Sequence, residues 1–418
     1  MRILMVAPQP FFRPRGTPFS VLHRIRALIR LGHQVDLVTY PFGDSPAVPG
    51  LTVHRCSRPF GVSDVAIGPS WAKLLLDLRL FRLAQHLART HQYDLIHTHE
   101  EAGIVGVWIS RQVGGPHLYD MHSSLPQQFE NFGRFNWWPV VAAFQRIEHY
   151  VLAGADGVIA ICPELRDHVL ASGYSGPVAM IENTLDFDIP AFTAHEVLAL
   201  RQRLGLGEEQ TVLYTGTLEE YQGLDLLVAA AAELSRSPAG RVPRFVLVGG
   251  TDALAAPLIE QARRLGVGAQ FTFVPAVPPS EVFLYHQLAD VLVTTRSRGT
   301  NTPLKIYQYL RAGRPIVATA IRSHTQVLDQ ACAELVAPTP AAIAAGIRRV
   351  LDDPARQKAL AEGARRISRE RYDEAIYLER LRELLTRISV IRQPVAHAPV
   401  GDLLSRLSPR RRPVTRAP

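Results

Sequence analysis

Short apolar runs alternate with amphipathic stretches from the first residues onward. Ile3–Ala7 is apolar at every position and reads as a buried strand. Pro18–Leu31 spaces its apolar residues as a helix does, with Thr17 placed to cap it, Pro18 at its first position and Gly32 placed to end it. Val35–Thr39 is the next predicted strand, followed by Leu95–Thr98, His117–Met121, Gly157–Ile161 and Val178–Ile181. Helices fit between them, for example Trp71–Arg89 and Phe144–Leu152. Strand and helix in strict alternation build an open parallel sheet with helices on both faces.

The rhythm restarts after an irregular stretch near 185–195 that contains Pro190. Strands are predicted at Thr211–Tyr214, Phe245–Val248, Phe271–Val274, Val291–Thr294 and Pro315–Ala318. Helices at Leu224–Leu234, Ala255–Leu265, Ser280–Leu288 and Pro303–Ala312 separate them. The expected division is an α/β domain over 1–188, a second over 189–372, a final helix over 373–391 and a tail over 392–418. The tail holds six arginines, one acid and several prolines, and is expected to be disordered.

Composition narrows the class. The chain has 418 residues, enough for two domains, with 47% hydrophobic and 20% charged residues, as in a soluble globular protein. No apolar run approaches the roughly 18 residues of a membrane-spanning helix. The first residues read as a strand and not as a leader, so a cytoplasmic location is expected. Cys56, Cys162 and Cys332 form neither a disulfide framework nor a zinc pattern. The net charge of +8 does not itself imply nucleic acid, because part of it lies in the tail and no nucleic-acid module is recognisable. It suits anionic lipid or phosphate-bearing substrates as well. Only Lys73, Lys305 and Lys358 are lysine, so each of them merits a question.

Ligands of open α/β sheets bind beyond the carboxyl ends of the strands, so the residues just past each strand matter most. No G-x-G-x-x-G comes after the first strand, and Tyr40 stands where an acid would hold a ribose, which disfavours nicotinamide and flavin enzymes. His97-Thr98-His99-Glu100-Glu101 would point two imidazoles the same way. Polar residues rimming a cleft are the better reading there, because no third metal ligand stands at diagnostic spacing. His122 comes directly after the strand ending at Met121 and suits a hydrogen bond to a substrate hydroxyl or a developing charge. No G-x-S-x-G elbow supports a hydrolase. Gly216 and Gly249 end two strands of the second half, where a nucleotide can approach the backbone. The segment Arg298–Leu310 converges most sharply. Thr302 is placed to cap a helix starting at Pro303, and Lys305 lies near the exposed amides of its first turn as a compact charge for phosphate. Gln308 projects from the same face.

These residues resemble the family 4 glycosyltransferases of the GT-B fold over residues 1 to about 385. The likeness runs through Arg15-Gly16-Thr17, Tyr93–His99, Asp120-Met121-His122, Ile181–Asp186, Tyr214-Thr215-Gly216 and Pro303–Thr319. It implies two doubly wound, Rossmann-like domains facing across a cleft. It also implies retaining transfer of a sugar from a nucleoside-diphosphate donor, with no cofactor and no metal. The donor would lie on the second domain, the acceptor on the first, and the final helix would cross back to the first. By this resemblance His122 lies beside the transferred sugar, and Leu304 and Lys305 lie nearer the nucleoside end; from its own place at the helix start, Lys305 is expected to share the catalytic role by stabilising the departing phosphate. Donor contacts fall to Gly16, Gly216, Thr217, Gln222, Gly249, Thr300, Asn301, Thr302, Leu304, Lys305 and Gln308. His99 and Glu100 fall on the acceptor side.

The chain departs from the family pattern at four places. Two glutamates separated by seven residues are usual, and Thr300 and Gln308 stand there. The usual arginine and lysine are Thr217 and Gln222. Lys305, with Arg296 or Arg298, is expected to restore the lost positive charge. Rival expectations are a degenerate transferase that senses a nucleotide sugar and a GT-B nucleotide-sugar epimerase. The expected partners are a nucleotide-sugar donor and a glycan or lipid-linked acceptor, without nucleic acid. Five aromatic residues between Phe129 and Trp138 suggest peripheral contact with the inner face of a membrane.

Overall fold

Two parallel sheets organise the chain, each widened outward from its own first strand. The computed structural model describes all residues except 13–15, 65–69, 125–137, 183–190, 237–241 and 391–418. The first sheet contains β1 (Arg2–Ala7), β2 (Gln34–Thr39), β3 (Leu51–Arg55), β4 (Leu95–His99), β5 (His117–Met121), β6 (Gly157–Ala160) and β7 (Val178–Met180). Its order is β3-β2-β1-β4-β5-β6-β7, and every pairing is parallel. The second sheet contains β8 (Thr211–Thr215), β9 (Arg244–Val248), β10 (Phe271–Val274), β11 (Val291–Thr294), β12 (Ile316–Thr319) and β13 (Glu334–Val336). Its order is β10-β9-β8-β11-β12-β13, again parallel throughout.

Both sheets reverse their strand order beside the first strand, between β1 and β4 and between β8 and β11. A crevice opens at such a switch point, because the helices leaving the two strands pass to opposite faces. Burial along the strands agrees with this layering. β1, β4, β5 and β11 show almost no exposed position, as strands covered on both faces must. Separate apolar clusters line the two faces of the second sheet, one around Val212, Val228 and Ile347 and one around Leu213, Ile306 and Leu310.

The sequence pattern misses β3 and β13. β3 is a half-exposed edge strand and β13 is three residues long, so neither carries a continuous apolar run. The aromatic segment 129–137 and the tail 392–418 lie outside the described residues.

The helix Glu374–Val390 ties the two halves together. Tyr377, Leu381, Leu384, Leu385 and Ile388 join the core of the first sheet with Ile3, Met5, Leu118 and Ile159. Arg380 adds a 2.6 Å hydrogen bond to Glu182. Truncating a buried leucine removes transfer energy and leaves a void. Leu381 is wholly buried. Leu381→Ala is therefore expected to cost about 2–5 kcal/mol in urea unfolding of the first half, whereas an exposed site such as Glu383→Ala should change little.

Candidate active site

The carboxyl ends of β4 and β5 hold a buried polar cluster. Parallel pairing sets His99 opposite Asp120, and alternation turns His97 the same way as His99, so their rings stack at 4.8 Å. Asp120 is at the centre. Arg24, from the helix Gly16–Arg30, donates Nε–H to Asp120 Oδ2 at 2.8 Å, and both side chains are buried. Burial alone would raise the Asp120 carboxyl, but the Arg24 guanidinium holds it well below the usual carboxylate range. His97 and His99 approach Oδ2 at 3.5 and 3.7 Å, and His122 Nε2 approaches Oδ1 at 3.5 Å.

The imidazoles themselves are pushed toward the neutral form, chiefly by burial and against the pull of Asp120. His99 Nδ1 and His122 Nε2 share one hydrogen bond at 2.9 Å. With both rings neutral, one nitrogen donates and the other accepts. His122 therefore serves as a held hydrogen-bonding group and not as a charged acid. His97, His99 and Asp120 offer donor atoms within 4.8 Å of one another, the kind of grouping that can hold a metal ion. Arg24 already supplies a fixed cation on that carboxylate.

A second cluster flanks it at the ends of β2 and β4. Glu100 comes after β4 with a left-handed backbone at φ 53°, and its carboxylate accepts from the Thr17 hydroxyl at 3.2 Å. Burial, and then the Glu101 charge, raise the Glu100 carboxyl. Glu101 pairs with Lys73. Tyr40 Oη donates to Asp77 at 2.5 Å, and burial with Glu101 pushes Asp77 up to about 6. Thr17 does not cap its helix, which begins at Gly16. A side chain at Gly16 would face open space.

In the second half, Gly216 comes directly after β8 and Gly249 directly after β9. A Cβ on Gly249 would lie 2.2 Å from the Gly216 carbonyl oxygen, and one on Gly216 would lie 2.7 Å from Lys305 Nζ. Both glycines have positive φ, so the close approach and the backbone conformation require the same residue. Lys305, in the helix Leu304–Ala312, is buried beneath them. Its ammonium donates to Gln222 Oε1 at 3.1 Å and lies 3.7 Å from the centre of the Tyr214 ring. Gln222 in turn donates to the Thr217 hydroxyl at 3.4 Å. Burial, and then Arg296, push the lysine well below its ordinary value. Among the described residues it has no acidic partner.

The helix starts at Leu304, with Pro303 as the flanking residue, so Thr302 sits one position too early to cap it. Leu304 and Gln308 are half-buried, and the Thr300 carbonyl accepts from Gln326 at 2.8 Å. Asn301 reaches across the cleft. Its Nδ2 donates to the His122 carbonyl at 3.0 Å, and Arg296 holds the Asn301 carbonyl at 2.9 Å. The sequence pattern points to His99, Glu100, His122, Asn301 and Lys305. It does not single out Arg24, Asp120, Lys73 and Asp77 for the site. The rarity of lysine is a usable signal for Lys73, whereas Arg24 is one among 43 arginines.

Residues 15–184 match the family described as "Glycosyl transferase 4-like domain", and residues 198–367 match "Glycosyl transferases group 1". The chain is 31% identical over 363 residues to D-inositol 3-phosphate glycosyltransferase 1 of Catenulispora acidiphila, covering 84% of this chain and 85% of that protein. It is 26% identical over 251 residues to alpha-monoglucosyldiacylglycerol synthase of Streptococcus pneumoniae, covering 57% of this chain and 55% of the relative. Among solved structures, sucrose-phosphate synthase from Thermosynechococcus elongatus superposes with a TM-score of 0.75 at 21% identity, covering 94% of this chain and 100% of the other. Anabaena HepE in complex with UDP-glucose gives 0.71 at 20% identity, covering 92% and 99%. These likenesses show the same two-domain fold.

Breaking a buried ion pair from one side leaves an uncompensated charge, at a cost of about 3–5 kcal/mol. Arg24→Met should show that loss at pH 7 by urea unfolding. Adding Asp120→Leu should recover most of it; a double variant no better than the single would contradict the pairing. The depressed imidazoles make a second expectation. Their contribution to stability is complete above an unfolded value of about 6.5. It is lost as pH falls through their lower folded values, because the unfolded chain takes up protons that the buried rings refuse. Unfolding midpoints measured from pH 8 down to 5 should decline below about 6.5, less steeply in His97→Gln.

Proposed function

The chain belongs to the group 1 glycosyltransferases, with the GT-B fold, and from that membership we propose that it moves a sugar from a nucleoside-diphosphate donor to a hydroxyl with retention of anomeric configuration. The observation that carries the reading is Lys305, a buried cation with a neutral glutamine for its partner, under the glycine that follows β8. A donor diphosphate laid against Gly216 and Gly249 supplies the missing anion. The attraction is large because the site is buried. Lys305 stands beside Thr217 and Gln222, the two positions whose usual cations are absent.

In the proposed reaction the bond between the anomeric carbon and the diphosphate oxygen breaks. The acceptor hydroxyl oxygen bonds to that carbon on the face the diphosphate leaves, and its proton passes to the departing phosphate oxygen. Lys305 stabilises the charge that develops there. Neutral His122, fixed by His99 and by the Asn301 contact to its carbonyl, hydrogen bonds a hydroxyl of the transferred sugar. No step in this scheme requires a metal or a cofactor. The acceptor binds at Glu100, with His99 buried behind it, and we read it as a glycan or a lipid-linked sugar reached at the inner face of a membrane. The relative named for monoglucosyldiacylglycerol supports a lipid-linked acceptor, and the solved UDP-glucose complex of HepE supports a uridine donor.

Calorimetry with UDP- and GDP-sugars, without metal, tests the reading. Selective binding is expected, with a roughly hundredfold loss in Lys305→Ala. Proton uptake should accompany binding wherever the depressed lysine is partly neutral, because the diphosphate restores its charged form, and affinity should fall as pH rises through that range. Binding unchanged in the variant, or no binding of any sugar nucleotide, contradicts the proposal.

A further inference from the structure

The helix Trp71–Thr90 divides its two faces unevenly. The inner face buries Leu76, Leu80, Ala84 and Leu87, and it carries Lys73 and Asp77 to their partners Glu101 and Tyr40 at the acceptor side. The outer face presents Trp71, Leu74, Leu75 and Leu78 at 85%, 59%, 51% and 48% exposure. Their spacing of three, four and seven residues is one helical stripe. Arg82 and Arg89 continue the same stripe, both exposed, and Phe60 stands fully exposed in the segment leading to the helix. The only acid on the helix is Asp77, which is turned inward to Tyr40. The outer face is thus apolar and cationic together, a combination that a monomer in water does not need.

We infer that the outer face of the Trp71–Thr90 helix docks on a bilayer of anionic phospholipid, lying in its interface, and so presents the acceptor side of the cleft to lipid-linked substrates. The leucines and Trp71 enter the boundary between headgroups and acyl chains, and Arg82 and Arg89 pair with headgroup phosphates. No helix among the described residues is long and apolar enough to cross a membrane, so the contact is along the surface. The helix is about 10 Å across. The bilayer therefore lies one helix diameter from Lys73 and Glu101. The benefit to catalysis rests on the proposed transfer reaction, whereas the docking itself does not.

Flotation of the full chain with phosphatidylglycerol–phosphatidylcholine vesicles, and with phosphatidylcholine alone, tests the inference. The wild type is expected to float with the anionic vesicles and to lose part of that binding at high salt. Leu74→Glu/Leu75→Glu/Leu78→Glu should bind roughly tenfold more weakly, and Arg82→Glu/Arg89→Glu should lose the salt-sensitive part. Melting curves check that both variants fold, and calorimetry with the sugar nucleotide checks that the donor site persists. A wild type that stays with the soluble fraction, or a folded leucine variant that floats as well, overturns the inference. So does light scattering that finds a dimer which the leucine variant dissolves, with no flotation, since the stripe is then a contact between copies. Donor binding in any of these cases leaves the transferase reading standing.

Discussion

A charge taken out of water at the end of a buried strand must find an opposite charge, and this constraint shapes both halves of the cleft. In the first half the requirement is met internally. Asp120 has no solvent, and Arg24 reaches it from the first helix at 2.8 Å. Burial keeps the surrounding imidazoles toward the neutral form against the pull of Asp120, and the hydrogen bonds to His99 and Asn301 fix His122. In the second half the requirement is left open. Lys305 is as enclosed as many core residues, yet its nearest partners are an amide, an aromatic face and another cation. A site that keeps one buried charge uncompensated is prepared for a ligand that carries the other.

The fold brings these two solutions together. Each sheet reverses direction beside its first strand, so each places its polar strand ends at a crevice. Asn301 bridges the crevices by bonding the backbone of His122, and the helix Glu374–Val390 anchors the second half to the core of the first. Gly216 removes the side chain that would otherwise press on Lys305, and Gly249 lets the backbone of Gly216 approach closely.

Much of this is legible in the sequence. Continuous apolar runs mark the central strands because a parallel strand is covered on both faces, and glycine, proline and helical spacing mark the elements between them. The edge strands β3 and β13 are not legible, since half-exposed or very short strands have no distinctive pattern until a neighbour pairs with them. His122 and Lys305 stand out by position and by rarity. The meeting of Lys305 with Gln222 does not, because residues 83 apart in sequence share a hydrogen bond only through the fold. Arg24 and Asp120 are hidden for the same reason, since the two partners are 96 positions apart. Thr302 looks like a cap in the sequence because Pro303 fits a first helical position as well as it fits the flanking one.

The proposed donor site requires one cation at this point in the cleft, whichever residue supplies it. Moving the charge tests it most directly. Calorimetric affinity for the selected sugar nucleotide should be lost in Lys305→Met and largely recovered in Lys305→Met/Gln222→Lys, where the ammonium returns to the same space from the neighbouring loop. A folded double variant that binds no better than Lys305→Met would contradict the account.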